Sequence, residues 1–450
     1  MLRVISRSRP LRYIIIFVVT PLVIFHQYLS IIPDSQSDGA REKSSLLSEK
    51  SGHSLTASRD GDQVNSDLRQ DFVPASEIRK VMKESNPLLA ALGTHVNTAN
   101  CVYHSHVWIG DKWNEVSEQS RVCMATHTTV EHLFWLAFQG WKGPMSVAVF
   151  TPGTDYYVAV TMIYYLRKCF PSLGLSTNFH IMYPKERPPR FSSQTVADQD
   201  LRCDDPEGVN NVLLQLRSEP PLHVYPQNHN RNLAKKNCAT DYSMTTDIDM
   251  ITPPSMSENM TKFFNNNEES KSCTKCVFVV PVYEVHDTAN FRPKDKQELI
   301  GLINNGLARR YHIKVWSPNQ ENSHLGIWET KISDKRDEEK RGYRILYNIT
   351  SYEKYWEPIL IMPQTAPLFD ERFLGYGYVR NSQVYELYRR RFKFHVLDYA
   401  FLTHLGFQLS KGYNSLRKSQ IKANSIRFSS FRKELKIRMK YEAKETGARD

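Results

Sequence analysis

The sequence predicts an α/β domain: a mainly parallel central sheet flanked by helices, reached through an apolar N-terminal segment and a polar stem. Three observations carry this. Apolar runs of strand length recur, Met145–Phe150 (MSVAVF) and Val277–Val282 (VFVVPV), as expected of strands covered on both faces. Segments of helical period lie between such runs, the alternation that builds parallel sheets. The bulk composition is that of a folded chain: 450 residues, 40% hydrophobic and 24% charged, which excludes a wholly disordered protein. No repeat of roughly 20–50 residues is visible, which excludes a solenoid.

The N-terminus sets the expected compartment. Tyr13–Ile32 is twenty mostly apolar residues, enough for the roughly 30 Å hydrocarbon core. Arg3, Arg7, Arg9 and Arg12 precede it, and Asp34 and Asp38 follow. The positive-inside rule then keeps the N-terminus cytosolic and the remainder luminal. The predicted organisation is a cytosolic basic tail at 1–12 and a transmembrane signal anchor at 13–32. A flexible luminal stem at 33–100, a folded domain at 101–440 and a C-terminal tail at 441–450 complete it. The stem is predicted from its Ser-rich, charged and aperiodic sequence.

Within the domain, Arg121–His127 reads as a strand and Val130–Trp141 as a helix with Leu133, Leu136 and Ala137 on one face. After the Met145–Phe150 strand, Tyr156–Cys169 has helical spacing and Asn178–Met182 is a strand. Glu207–Arg217 is helical, His223–Tyr225 a brief strand, and Asn228–Cys238 a helix whose N-cap is Asn228. Ser243–Asp247 is a strand, Ser257–Phe264 a helix, and Val277–Val282 a strand ended by Pro281. Beyond residue 290 the pattern becomes irregular and aromatic, which suits a second half fused to the first and not an independent domain; an acceptor-binding half beside a nucleotide-binding half is one arrangement it suits. Sheets of this kind bind ligands at the carboxyl ends of their strands.

The seven cysteines (101, 123, 169, 203, 238, 273 and 276) all fall on the luminal side, so disulfides are expected, with at least one thiol left over. Cys273 and Cys276 form a lone CxxC without the second pair that a zinc site needs, and are read as structural. Asn259-Met-Thr261 and Asn348-Ile-Thr350 are N-glycan sequons. The net charge of +11 is concentrated near the end, where residues 411–450 hold twelve basic and four acidic residues. Basic residues are not spread over the domain with interleaved aromatics, so a nucleic-acid partner is not expected.

The sharpest chemical feature is Asp247-Ile-Asp249 directly after a predicted strand. Two carboxylates at this spacing reach one hard cation if the loop turns there, and oxygen ligands suit Mn²⁺ or Mg²⁺. Asp60-Gly-Asp62 has the same spacing but sits in the polar stem. Upstream, Arg231 lies about one turn into a helix, where its fork can meet a carboxylate or phosphate. Downstream, Phe369-Asp370-Glu371-Arg372-Phe373 precedes Gly375 and Gly377, a shaped loop whose carboxylates suit a general base. His404 lies among apolar residues, a setting of packed histidines and metal ligands alike.

Taken in order, YPxNxxRNxA, DIDM, VVPVYE, FDERFxxYG and HxGF resemble glycosyltransferase family 49, over roughly Val122 to Leu435. The resemblance implies a GT-A-like fold, a UDP-sugar donor, Mn²⁺ (or Mg²⁺), inverting transfer and a single-pass type II Golgi membrane topology. It implies that Asp247, Asp249 and His404 hold the metal. It further implies that Arg231, Asn232 and Asp247 lie at the donor diphosphate, and that Ala125, Thr126 and Thr128 hold the nucleotide. Asp370, Glu371 and Glu386 are the candidate bases, Glu371 foremost; where many relatives carry an acidic cluster, this chain reads Arg380-Asn381. Glucuronic acid is the expected sugar and a glycoprotein or oligosaccharide the expected acceptor. An N-acetylglucosaminyltransferase or a non-catalytic scaffold is the alternative. A homodimer or a complex with other Golgi transferases is a further expectation.

Overall fold

The computed structural model describes residues 71–92, 95–190, 200–217, 224–289, 292–331, 342–410 and 414–446. The expected basic tail and anchor (1–32), the stem up to residue 70, and His223 lie outside these. Among the described residues no helix is long and apolar enough to cross a membrane.

The strands, in chain order, are β1 (Phe72–Val73), β2 (His95–Val96), β3 (Cys101–Trp108), β4 (Val122–Thr129), β5 (Met145–Phe150), β6 (Thr177–Pro184), β7 (Leu201–Arg202), β8 (Tyr242–Asp247), β9 (Met250–Ile251), β10 (Cys276–Val280), β11 (Val282–Val285), β12 (Ala308–Arg310), β13 (Arg344–Ile349), β14 (Ile359–Pro363), β15 (Lys393–Asp398) and β16 (Leu402–Leu405). Ten of them form one sheet in the order β13-β15-β10-β14-β8-β4-β5-β6-β3-β2. The expectation of a mainly parallel sheet needs correction. The run β8-β4-β5-β6 and the pair β10/β15 are parallel, whereas the other five pairings are antiparallel. Antiparallel β14 (ILIMP) is buried almost as fully as parallel β5 (MSVAVF), so an apolar run marks a covered strand without fixing its direction. The half beyond residue 290, expected to be irregular, contributes β13, β14 and β15 to the same sheet. β13 reads RILYNI and is largely solvated at the sheet edge, so its sequence has no apolar run to betray it.

Two strands leave the large sheet together. Pro281 separates β10 from β11, and Tyr399, with φ of 67°, helps to separate β15 from β16. β11 and β16 continue side by side in a second, four-stranded sheet of order β12-β11-β16-β9. β9 begins three residues after β8 ends. The chain therefore crosses from one sheet to the other within Asp247-Ile248-Asp249.

The expected stem ends earlier than residue 100. β1 pairs with β7, and the helix Ala75–Ala91 buries Ile78 and Leu89. The Tyr156 hydroxyl donates to the Ser85 carbonyl at 3.0 Å, and Tyr164 donates to Glu77 at 2.6 Å. At the other end, one helix runs from Ser415 to Thr446, into the expected tail. Its Phe428, Phe431 and Leu435 are buried with Phe373, Tyr378 and Tyr385. Val224 and Tyr225 carry no strand. Disulfides join Cys123 to Cys238, Cys169 to Cys203 and Cys273 to Cys276. Cys101 remains a buried thiol, pushed up to about 12 by burial and by Glu186.

A buried imidazole ties three strands to the helix Gln227–Lys236. His180 Nδ1 accepts from the His106 amide at 2.8 Å, so its Nε2 carries the proton and donates to the Ser146 hydroxyl at 2.9 Å. Ser146 in turn donates to the Ala234 carbonyl at 2.7 Å. Burial, then His106, depresses His180 from 6.5 to about 3. The unfolded chain therefore binds this proton first, and the contribution is complete above pH 6.5 and lost as pH falls toward 3. Thermal melts of the wild type are expected to fall across that window. His180→Gln should melt lower at neutral pH, by about 1–3 kcal/mol for the broken chain, and show a weaker acid dependence. The sequons also divide: Asn259 is buried on the helix Met256–Asn266, whereas Asn348 is exposed on edge strand β13. Glycopeptide mass spectrometry of secreted protein is expected to find carbohydrate at Asn348 and none at Asn259.

Candidate active site

The site is built at the carboxyl end of β8. Asp247 Oδ1 accepts from Arg231 Nη2 at 3.0 Å and from Arg380 Nη2 at 3.1 Å. Register places His127 of β4 opposite Asp247, with Nε2 3.4 Å from the same oxygen. Burial would raise the Asp247 carboxyl. Arg380 and Arg231 overcome this and hold it well below the usual carboxylate range. Burial depresses His127 to about 4 against the pull of Asp247, so it is neutral at physiological pH. Its Nδ1 meets the Tyr225 hydroxyl at 2.8 Å.

Arg231 arrives on Gln227–Lys236, a helix whose Asn228, His229, Asn230, Arg231 and Asn232 are all buried. Buried polar runs persist when most of their groups find partners, and here His229 Nδ1, Asn230 Oδ1 and Arg231 Nε are the side-chain atoms left without one among the described residues. Asn228 does not cap the helix as expected. Its Nδ2 instead donates to the Asp370 and Val379 carbonyls, at 2.8 and 3.1 Å, and its Oδ1 accepts from Arg231 Nη1 at 3.1 Å. Arg380, just before the helix Asn381–Arg389, also donates from Nη1 to the Thr245 carbonyl at 3.0 Å. Two buried guanidiniums share one carboxylate, an excess of one positive charge in this group of three; Asp247 keeps 39% of its side-chain surface open.

Asp249, across the crossover, faces His404. Their Oδ2 and Nε2 atoms lie 3.4 Å apart, because β9 pairs with β16 and sets His404 opposite Met250. The Gly406 carbonyl is 3.3 Å from His404 Nδ1, and Gln408 Nε2 is 3.0 Å from His404 Nε2. The protonated nitrogen is thus Nδ1, and the Nε2 lone pair accepts from the Gln408 amide. With the Gln408 amide turned aside, the Asp249 carboxylate and the His404 Nε2 lone pair would fit a divalent cation of the Mn²⁺ or Mg²⁺ kind. Behind them, fully buried Glu284 accepts from Arg309 Nε at 2.6 Å, from the His312 amide at 2.9 Å and from the Gln408 amide at 3.2 Å. This fixes the turn that carries Gln408.

The expected residues separate. Asp247, Asp249, Arg231 and His404 converge. Asn232 lies beside them but spends its amide on protein. Its Nδ2 donates to Phe369 O at 2.8 Å and to Glu371 Oε1 at 2.9 Å, and its Oδ1 accepts from the Phe369 amide at 2.9 Å. It therefore positions the acidic loop. Ala125 packs in a core cluster with Ala148, Tyr225, Leu233 and Ala234. Thr126 and Thr128 are buried, and Thr128 donates to the Thr129 carbonyl at 2.7 Å. On this strand it is His127 that reaches Asp247. Asp370 is held by Arg372 at 2.9 Å. Glu371 Oε2 accepts from Thr98 at 3.2 Å and lies 3.5 Å from His229 Nε2. Glu386 is bound by Arg390 and Arg438, each at 2.8 Å, where Asn381–Arg389 meets the C-terminal helix. That ion pair gives it a packing role away from Asp247.

Sequence reasoning missed His127, Arg380, Gln408 and Glu357. Burial raises the Glu357 carboxyl, while Arg380 and Arg231 pull it down and Asp247 pushes it further up, so it shares the electrostatic field of the site. Its Oε2 accepts from Asn319 Nδ2 at 2.8 Å. The one available signal was Arg380-Asn381, standing where the resemblance leads one to expect acids.

A family model described as glycosyl-transferase for dystroglycan matches residues 121–441. The β-1,4-glucuronyltransferase 1 of Danio rerio is 28% identical over 332 residues, 70% of this chain and 74% of that protein. The Homo sapiens protein of the same name is 28% identical over 333 residues, 70% of this chain and 75% of that protein. The xylosyl- and glucuronyltransferase LARGE1 of Gallus gallus is 26% identical over 184 residues, 40% of this chain and 22% of that protein. Among solved structures, the TarS protein of S. aureus aligns with a TM-score of 0.28 and 12% identity, over 63% of this chain and 60% of that one; so slight a likeness has no bearing on the fold.

Proposed function

The chain belongs to this family of glycosyltransferases, and from that premise we propose that it transfers a sugar from a UDP-sugar to a hydroxyl of a glycan acceptor, with inversion. The observation that carries the reading is the pairing of Arg231 and Arg380 on Asp247, one turn of chain from the facing Asp249 and His404. Guanidinium forks in a cleft suit a diphosphate. A GT-A-like arrangement, with the donor at the carboxyl ends of β4, β5 and β8, agrees with this placement. Glucuronic acid is the proposed sugar because the relatives named above are glucuronyltransferases. Disulfides favour an oxidising compartment, in line with a Golgi enzyme whose domain is luminal and anchored by 13–32.

In the proposed reaction the acceptor oxygen attacks the anomeric carbon as the bond to the diphosphate breaks, and UDP leaves with the electron pair. Arg231 and Arg380 stabilise the charge that develops on the leaving group. Asp249 and His404 would hold the divalent cation, which when bound neutralises diphosphate charge. The acceptor proton goes to a carboxylate. Glu371 already has both oxygens engaged by Asn232, Thr98 and His229. Glu357 lies in the field of Asp247 and the arginines, with its basicity raised by burial, and we assign it the base; Glu371 anchors the acidic loop.

The test uses the full-length protein in detergent, a panel of UDP-sugars with Mn²⁺, and xylose- and galactose-terminated acceptors. UDP-glucuronic acid is expected to extend an acceptor, and chelation or Asp249→Ala to abolish this. Transfer from UDP-N-acetylglucosamine instead would correct the sugar, and release of free sugar alone would mark a hydrolase. Glu357→Gln should lower kcat by about 10²–10⁴-fold and remove the acid limb of the pH profile. That limb should sit above the ordinary carboxyl range, with activity lost as pH falls through it. A larger loss in Glu371→Gln would return the base to Glu371.

A further inference from the structure

Three aromatic residues that the reaction does not use meet one another, on segments that also carry residues of the site. Trp316 is 45% exposed. Its ring stands edge-on to Tyr355 at 5.5 Å, and Tyr355 lies 5.7 Å from Tyr378. Tyr378 is stacked from behind on Phe428 of the C-terminal helix at 4.7 Å. Lys354 Nζ lies 4.6 Å from the centre of the Tyr355 ring.

Tyr355 and Tyr378 share an unusual backbone. Their φ angles are 77° and 60°, in the left-handed region, and Gly375 and Gly377 just before are also left-handed at 68° and 89°. Bulky residues avoid this region, and such strain concentrates at ligand clamps and active sites. Here it brings two tyrosines from separate loops into contact, with the Tyr378 hydroxyl 3.4 Å from that of Tyr355.

Each of the three segments leads into the site. Trp316 donates its amide to the carbonyl of His312, and Tyr311, next to His312, packs its ring 5.7 Å from that of His404. Tyr355 precedes Glu357 by two residues, and Tyr378 precedes Arg380 by two. The aromatic cluster is thus tied to the metal-side wall, to the assigned base and to the diphosphate-side arginine at once. With Glu357 as the base, the attacking hydroxyl arrives next to the segment that carries Tyr355.

We propose that Trp316, with Tyr355 and Lys354, forms the platform that receives the acceptor, the C–H face of a pyranose ring lying on the indole while Lys354 and the Tyr355 phenol meet its hydroxyls. This rests on the transferase reading above. An exposed indole is a stiff, amphipathic surface suited to a ligand that is apolar on one face and polar at its rim. Tyr378 and Phe428 make no such contact; they hold Tyr355 in place from behind.

The experiment measures donor and acceptor KM separately for the full-length wild type, Trp316→Ala and Trp316→Phe, with the donor and acceptor that the panel identifies. Trp316→Ala is expected to raise the acceptor KM by about tenfold or more, leave the donor KM unchanged, and be largely restored in Trp316→Phe. In saturation-transfer NMR, the terminal-ring C–H protons of the acceptor should lose enhancement in the alanine variant only. An active wild type whose acceptor KM is unmoved by Trp316→Ala overturns the platform and leaves the transferase standing. So does a variant in which both KM values rise together. A wild type that transfers no sugar from any donor overturns the transferase reading and the platform with it.

Discussion

Asp247 is where the molecule is tied together. One carboxylate oxygen takes a guanidinium from a helix, a second from a loop more than a hundred residues later, and a close approach from an imidazole on the neighbouring strand. Each partner demands a different feature of the fold. His127 needs the parallel register of β4 with β8. Arg231 needs the helix Gln227–Lys236 packed on that sheet, and the disulfide from Cys123 to Cys238 fastens the end of that helix to β4. Arg380 needs the segment between Tyr378 and Asn381, which the C-terminal helix braces through Phe428. Two buried cations without Asp247 would repel each other in a poorly hydrated place, so the carboxylate is what permits both to stay.

The same point is where the chain changes sheets. β8 ends at Asp247 and β9 starts at Met250 in the smaller sheet. Two acidic residues with one residue between them therefore face different neighbours: Asp247 the arginines, Asp249 the imidazole of His404. β10 and β15 make the parallel version of the same crossing, through Pro281 and Tyr399, and deliver β11 and β16 to that second sheet. Buried Glu284 on β11 then holds the amides of His312 and Gln408 on either side of the metal-facing wall. The spacing of the two acids is thus a requirement of topology as much as of coordination.

Much of this was legible in the residues. The apolar run of β5 and the helical period of Asp155–Cys169 are local signals, and both elements fall where the sequence places them. The DxD turn and His404 were legible as motifs. What could not be read depends on partners far along the chain. Glu386 looks like a free acid in sequence, yet Arg438, fifty-two positions away, claims it. Asn232 looks like a donor ligand, yet the loop at Phe369 consumes its amide. His127 sits among threonines in a strand whose alternation alone decides which side chain meets Asp247. β13 is largely solvated at the sheet edge, so no apolar run announces it, whereas β14 reads ILIMP and is buried but follows an aromatic, aperiodic stretch that hides its place in the sheet.

The central claim is that Arg231 and Arg380, held together by Asp247, form the diphosphate cradle. Calorimetric titration of the full-length protein with UDP and with uridine, in the wild type and in Arg380→Gln, tests it most directly. The account predicts that wild type binds UDP far more tightly than uridine, and that Arg380→Gln loses about ten- to a hundredfold in UDP affinity while uridine affinity stays the same. Equal loss for both ligands, or no loss for UDP, would contradict it.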